Sequence, residues 1–514
     1  IRKLKPKTSC DPDGYSTYFI KQLASALVHP LSVLFESFFS VGGVPTAWKA
    51  AIITPLFKKG QSSDPSNYRP VSITSVFGKI MERVIASSML QHLKQNNLLN
   101  DNQHGFLSKK STLTNLLESV NDWSITLNNR NNVAVAYIDF QRAFDSVTHP
   151  KLAHKLKAYG IEGALLEWIL NFLSDRKHRT RVANSYSGFA PISSGVVQGS
   201  CLGPLLFLLF INDLLDEFNM PVTCKLYADD AKLYTDVTSA IDSANLQNTL
   251  DKLYNWSKIW QLNISHHKCC IITIGRSVGL NRITVKTNYR PTLFNYELAA
   301  SSLSIVKSVS DLGVIIDSQL NFCDQIASVT RKAHQRANLI HRCFLSREKD
   351  SLILAYKIYV RPILEYCSNV WSPSLKRDIL SIEAVQRRFT KRLPGLSNIS
   401  YHARLKLLKL ESLEIRRLRS DLILVYKILF GHVYCSVVNY FKLKTGERLK
   451  SLRRHSYQLV EPARGSSAIH VFFVNRVIKL WNELPLSINF SSVKQFKASL
   501  TVDYLTMKCQ VNFT

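Results

Sequence analysis

An α+β fold is predicted for this 514-residue chain, with strands and helices mixed up to about residue 320 and helices alone beyond it. Three observations predict it. Val133 to Ile138 is an unbroken apolar run of strand length that ends on Asp139. Val222 to Tyr227 and Ala231 to Tyr234 read as two short strands joined by a turn carrying Asp229 and Asp230. After about residue 326, apolar residues recur at helical spacing with basic residues on another face. At 46% hydrophobic residues the chain can bury several cores, so more than one domain is expected.

The first basic residues, Arg2, Lys3, Lys5 and Lys7, lead into a helix-rich segment. Pro45 to Lys49 then introduces Ile52 to Gly60, followed by Asn67 to Ser72, which together read as a hairpin carrying Lys58, Lys59 and Arg69. Lysine offers a point charge to a phosphate and arginine a bidentate fork, although a solvated basic turn is the ordinary state of any one lysine. The strand Val133 to Ile138 has no use for a carboxylate at its end unless a cation meets Asp139 there, because an unpaired buried charge costs several kcal/mol, although a strand-end Asp in water is the ordinary state of such a residue taken alone. Ser194 to Phe207 is a glycine-punctuated loop opening into a helix that is apolar all round, and such a helix is buried.

Paired like charges at the Asp229–Asp230 turn require a counter-ion. Trp260 to Cys269 contains Lys268, and Leu312 to Asp317 reads, on its apolar character, as one more strand.

In the C-terminal part, Ile326, Val329, Ala333, Ala337 and Ile340 form one helical stripe, with Arg331 and Arg342 on another face. Ile382, Val385 and Phe389 form a second beside Arg387, Arg388, Lys391 and Arg392. Ile415, Leu418, Leu422, Val425 and Leu429 form a third beside Arg416, Arg417 and Arg419. Net charge is +29, and residues 331–514 hold 33 Lys and Arg against 12 Asp and Glu, or +21 of that total. So large an excess of one sign predicts phosphate contact with steep salt dependence, even though core packing with a solvated charged face is the ordinary state of each helix.

The ordered motifs resemble those of reverse transcriptases, in particular jockey-like non-LTR retrotransposons (long interspersed elements). The resemblance spans most of the chain and is densest between about residues 45 and 320. It implies a right-hand polymerase with fingers, a ferredoxin-like palm and a helical thumb, followed by a basic, mostly helical C-terminal region. The corresponding ranges are 1–110, 111–275, 276–393 and 394–514. Asp139, Asp229 and Asp230 match the family's ligands for two magnesium ions. Phe144, five residues beyond Asp139, falls where the family places a ring that selects deoxynucleotides. Gln198 and Gly199 match the loop that touches template and incoming nucleotide, with Val197 where the family usually has Pro. Arg69 is implied as a triphosphate contact, with Lys58 and Lys59 sharing that role, and Lys268 as the acid that protonates pyrophosphate. Leu312 to Asp317 matches the turn that holds the primer end. The implied partners are template RNA, primer or target DNA and deoxynucleoside triphosphates, with no membrane, and an intracellular life cycle with insertion in the nucleus. Tyr359 to Tyr366 and Val477 to Pro485 also resemble this group, without a chemistry legible in their residue types.

The ten cysteines are scattered, without Cys-x-x-Cys pairs, so a zinc knuckle is not expected and reduced core thiols are. No secretory signal or run of membrane-spanning length is present, the longest apolar run lying near Leu205 to Ile211. The chain begins at Ile1, which suggests a fragment, and nothing in it resembles an endonuclease or a ribonuclease H. Domain boundaries are expected near Gly275 to Gly279 and around Leu393-Pro394-Gly395. Two rival functions are an RNA-directed RNA polymerase, against which Phe144 argues, and a catalytically silent nucleic-acid-binding remnant, against which the three intact aspartates argue.

Overall fold

A computed structural model describes residues 1–58, 60–218, 220–275, 294–299, 301–444, 455–461 and 472–510. Lys59 and part of the expected boundary at Gly275 to Gly279 lie outside the described residues.

The central sheet has five strands in the order Ser304–Ile305, Cys270–Ile274, Asn132–Ile138, Asp230–Val237, Thr223–Tyr227. The short first strand runs parallel to its neighbour, and the other pairings are antiparallel. Along the central strand side chains alternate between two cores, as the two-residue period of a strand dictates. Val133 and Val135 enter one core, and Ala134, Ala136 and Ile138 enter the other. Burial on both faces is why this segment is apolar throughout.

One core gathers the helices Val76–Gln95, His149–Ala158, Gly163–Leu173, Gly203–Ile211 and Ala240–Trp260. Gly203–Ile211 is buried along nearly its whole length, as its all-round apolar character requires. The other core gathers Thr112–Asn128 with the later helices Cys323–Cys343, Lys349–Tyr359, Lys376–Lys391, Leu413–Leu429 and Phe473–Asn482. Reciprocal capping boxes, Ser111 with Thr114 and Ser239 with Asp242, start two of the helices that flank the sheet. Leu393 and Leu396 are buried in the same core as the helices on either side of them.

A second sheet is built on Ala50–Phe57, which pairs antiparallel with Tyr68–Ile73 and parallel with Arg176–Val182. It carries Lys58 just past the end of its first strand and exposed Arg69 opposite Leu56.

All five apolar residues of the 326–340 stripe are buried, as are Ile382, Val385 and Phe389 of the second. The third helix corrects the expected basic back. Arg417 is buried among the charges of Glu383, Glu414 and Asp421, Arg416 pairs with Glu365, and Arg419 pairs with Glu411. The three arginines are therefore drawn towards carboxylates of the fold and do not form a freely solvated back. The cysteines are all free; four are buried, whereas Cys10 and Cys343 are exposed. No described helix is long and apolar enough to cross a membrane.

Candidate active site

Register in the central sheet fixes the position of each carboxylate. Tyr227 pairs with Asp230, so the turn consists of Ala228 and Asp229, and Asp230 opens the return strand. The expectation that both aspartates sit in the turn is corrected by one residue. Ala228 adopts φ +58°, a left-handed conformation that such turns usually give to Gly or Asn. A neighbouring segment holds it there. Gln103 Oε1 accepts from the backbone N–H of Ala228 at 3.0 Å and of Gly105 at 2.7 Å. Leu226 exchanges backbone hydrogen bonds with Asn102 and His104, both at 2.9 Å. A Cβ on Gly105 would stand 2.4 Å from the Ala228 nitrogen, so only glycine permits this approach.

Asp139 follows the central strand, whose last residue, Ile138, is paired with Ala231. Its carbonyl accepts from Ser265 N–H at 2.8 Å, and Gln141 N–H donates to Asn263 at 2.7 Å. These bonds strap the turn His266–Lys268 to the end of the strand, and Lys268 Nζ donates to Asp139 Oδ1 at 3.1 Å. With side chains 56% and 39% exposed, that ion pair is weak and easily exchanged for another partner.

Burial, reinforced by the charge of Asp139 and opposed by Arg69 and Lys58, raises the Asp229 carboxyl above its usual range. Asp230 is exposed at the mouth of the site, yet partial desolvation of its carboxyl by the surrounding protein, followed by the charges of Asp229, Asp311 and Asp139, pushes it up to about 6. Because Ile138 pairs with Ala231 and Tyr227 with Asp230, the fold brings Asp139, Asp229 and Asp230 to the same end of adjacent strands. Among the described residues no three Asp, Glu, His or Cys side chains stand at metal-binding spacing. The donor chemistry nevertheless fits a hard divalent cation: carboxylate oxygens, with Asp229 and Asp230 disfavoured as anions by desolvation and neighbouring negative charge, which a cation relieves.

The glycine-punctuated loop lies between the Asp139 segment and the second sheet. Ser72 N–H donates to the Gln198 carbonyl at 2.8 Å. Gly199, at φ +117°, passes so close to that strand that a Cβ would stand 2.3 Å from the Ser72 carbonyl oxygen. On the other side Val196 N–H donates to the Phe144 carbonyl at 2.8 Å, and Gln198 Nε2 donates to Asp145 Oδ1 at 3.0 Å. Phe144 is half-buried and stacks on Phe207, with ring centroids 4.3 Å apart, and meets Phe106 edge-on.

Sequence reasoning missed several supporting residues. Gln103 and Asp145 are two. A third group is the buried pair Lys232–Asp311 at 2.6 Å, to which the Tyr137 hydroxyl adds a hydrogen bond at 3.2 Å. Lys232 had a signal: it lies two residues after Asp230 on the same face of a strand otherwise apolar at that depth. Lys225, its cross-strand neighbour, is buried beside Glu118 at 2.5 Å, with His104 3.2 Å from the same carboxylate. The turn Leu312–Gly313 joins the strands Ser308–Asp311 and Val314–Asp317, so this segment holds a hairpin turn and not a strand alone. Tyr366 braces the turn by donating to the Leu312 carbonyl at 2.8 Å, which gives the segment Tyr359 to Tyr366 a structural role. In Val477 to Pro485, Trp481 is buried and Asn482 bonds both backbone groups of Leu459.

The family model described as reverse transcriptase (RNA-dependent DNA polymerase) matches residues 57–316, a span that holds Asp139, Asp229, Asp230, Gln198 and Lys268. The chain is 28% identical over 408 residues to the RNA-directed DNA polymerase from mobile element jockey of Drosophila melanogaster, covering 77% of this chain and 43% of the relative. It is 28% identical over 422 residues to the probable RNA-directed DNA polymerase from transposon BS of the same species, covering 79% and 44%. It is also 28% identical over 253 residues to the Pol polyprotein of the type-1 retrotransposable element R2 of Popillia japonica, covering 46% and 34%. The chain thus spans less than half the length of these curated relatives.

Proposed function

Since the chain belongs to the reverse transcriptase (RNA-dependent DNA polymerase) family, we propose that it extends a primer 3′-hydroxyl with deoxynucleotides on an RNA template, as part of a jockey-like non-LTR retrotransposon. The observation that carries this reading is the sheet register that brings Asp139, Asp229 and Asp230 to the same end of adjacent strands within the matched span.

Asp139 and Asp229 would hold the divalent metal, magnesium and two ions in our reading, with Asp230 in support. The chemistry such ions would supply there is Lewis-acid stabilisation of the charge that develops on the transferring phosphoryl group. The remaining work falls to the chain's own side chains. Arg69, with Lys58, takes the triphosphate, and Lys59 shares that role on the strength of its sequence position. Phe144, backed by Phe207, fills the space a 2′-hydroxyl would need. Gln198, steadied by Asp145, and Gly199, appressed to Ser72, orient nucleotide and template. Lys268 carries a proton at Nζ and exchanges its contact with Asp139 for the leaving pyrophosphate. In this reading the palm (111–275) supplies four of the five central strands, the fingers (1–110) supply Ala50–Phe57 and Tyr68–Ile73 of the second sheet, and the thumb (276–393) includes the helices from Cys323 to Lys391. The basic region 394–514 follows, and template RNA and primer or target DNA are the partners.

The test is magnesium-dependent extension of a DNA primer on an RNA template, comparing deoxynucleotides with ribonucleotides and wild type with Asp229→Asn. Deoxynucleotide extension that disappears in the variant is the expected result. Salt-sensitive binding of the same duplex without extension would make the chain a silent nucleic-acid-binding remnant, and ribonucleotide extension would make it an RNA polymerase.

A further inference from the structure

We infer that Glu82 is a positioning residue for nucleotide addition: its buried carboxylate holds the loop that carries Gln198 and Gly199 in register with Arg69. The inference deepens the polymerase reading and rests on it, because that loop and Arg69 are the nucleotide contacts of that reading.

Glu82 stands on the helix Val76–Gln95 and is only 3% exposed. A carboxylate so deep needs donors around it. Backbone groups of the loop supply them. Glu82 Oε2 accepts from Cys201 N–H at 2.6 Å and from Leu202 N–H at 3.1 Å. Both lie at the start of the helix Gly203–Ile211, where backbone N–H groups lack a partner within the helix. Gly203 N–H, the next in line, is taken by Ser200 Oγ at 2.7 Å. The loop thus has an anchored side and an open one: Ser200 and Leu202 are buried, whereas Gln198 is half-buried and Gly199 exposed.

The anchor also sets a register. The short stretch of chain from Arg69 to Glu82 meets the loop twice, Ser72 at the Gln198 carbonyl and Glu82 at Cys201 and Leu202. One hydrogen bond alone is a hinge, but two attachments three residues apart fix the loop's orientation relative to Arg69. Bonds from N–H groups to a carboxylate are about twice as strong as neutral ones, which makes Glu82 the firmer of the two. The charge of buried Arg176 steadies the carboxylate in turn, while its guanidinium donates to the carbonyls of Phe172 at 2.9 Å and Trp48 at 3.2 Å. Severing the Glu82 attachment should let Gln198 turn about the Ser72 bond and leave the three aspartates where they are.

The experiment is steady-state primer extension by the full chain, reading the Michaelis constant for deoxynucleotide and the rate at saturation separately, beside hydrogen exchange over residues 196–204. Glu82→Leu and Glu82→Asp are compared with Glu383→Leu and Glu383→Asp. Glu383 is a fully buried carboxylate outside the matched span that also accepts a backbone N–H, from Leu413 at 2.9 Å. We expect Glu82→Leu to raise the Michaelis constant for deoxynucleotide about tenfold, the equivalent of one net hydrogen bond. The rate at saturation should fall much less, the constant for primer–template should hold, and exchange at Cys201 and Leu202 should quicken. Glu82→Asp keeps the charge but withdraws it by one methylene, so it should show the same rise in smaller measure and carries the test if the leucine variant does not fold. The Glu383 variants should lose stability without moving either constant. In a Gln198→Ala background Glu82→Leu should add little, because Glu82 acts through that loop. An unchanged constant for deoxynucleotide, an equal rise in the Glu383 variants, full additivity with Gln198→Ala, or loop exchange as slow as in the wild type would each overturn the inference. Wild-type chain that does not extend a primer removes the polymerase reading instead, and quickened exchange in Glu82→Leu would then leave Glu82 a structural anchor with no part in synthesis.

Discussion

Replacing Lys232 with Met should destabilise the site from beneath. The Lys232–Asp311 ion pair has side chains only 4% and 6% exposed, at a separation of 2.6 Å. Methionine keeps most of the volume but leaves the Asp311 carboxylate with the Tyr137 hydroxyl at 3.2 Å in place of a full counter-charge. Stranding one member of a buried pair costs about 3–5 kcal/mol. At a urea slope of about 2–3 kcal/mol per molar, the unfolding midpoint should fall by about 1–2 M. The double variant Lys232→Met/Asp311→Leu removes both charges and leaves the Tyr137 hydroxyl unbonded, a loss of about 1–3 kcal/mol. The double variant should therefore be more stable than the single one, with a coupling of about 2 kcal/mol in a double-mutant cycle. Extension activity should recover in part along with it, because Lys232 lies two residues from Asp230. Urea unfolding followed by circular dichroism on all four proteins makes the measurement. A single-variant cost below about 1 kcal/mol, or a double variant equal to the sum of the singles, would refute the reasoning.

Three further outcomes are expected. Gly199→Ala should raise the Michaelis constant for deoxynucleotides more than it lowers stability, because its Cβ must displace the Ser72 carbonyl from 2.3 Å, and steady-state extension reads the split. Phe144→Val should admit ribonucleotides by opening the space beside Phe207, as seen by comparing incorporation of the two nucleotide classes on one template. Burial would raise the Glu118 carboxyl, but the hydrogen bond from His104 and the charge of Lys225 outweigh it and hold the group below its ordinary 4.5. A depressed carboxylate contributes stability that is present above about pH 4.5 and lost as pH falls below it, so thermal midpoints should drop on acidification through that value, and Glu118→Gln should flatten this part of the profile.

How much of this was legible depended on whether the deciding contact was local. The strand Asn132–Ile138 could be read because burial on both faces leaves an unbroken apolar run. The helices Cys323–Cys343 and Lys376–Lys391 could be read because one stripe of each faces a core. The Asp229–Asp230 turn was misplaced by one residue because Ala228 fills the position where Gly would have announced it. Gln103, more than a hundred residues away, makes that conformation tolerable. Arg417 read as part of a solvated back because its helix shows three arginines together, whereas Glu383 on another helix helps to draw it inward. The Lys232–Asp311 pair joins positions 79 residues apart, and no local pattern names the partner.

The two-faced burial of the central strand also bears on how the protein is made. Val135 shares its core with Trp481, about 350 residues later in the chain. At a synthesis rate of about 5–20 residues per second, that strand waits roughly 20–70 s on the ribosome before this part of its core emerges. Until then one face of the sheet that bears the aspartates is incompletely covered and open to wrong partners. Nascent chains stalled before the final helices should therefore depend on chaperones, and an insertion that lengthens this interval should reduce yield before it alters chemistry.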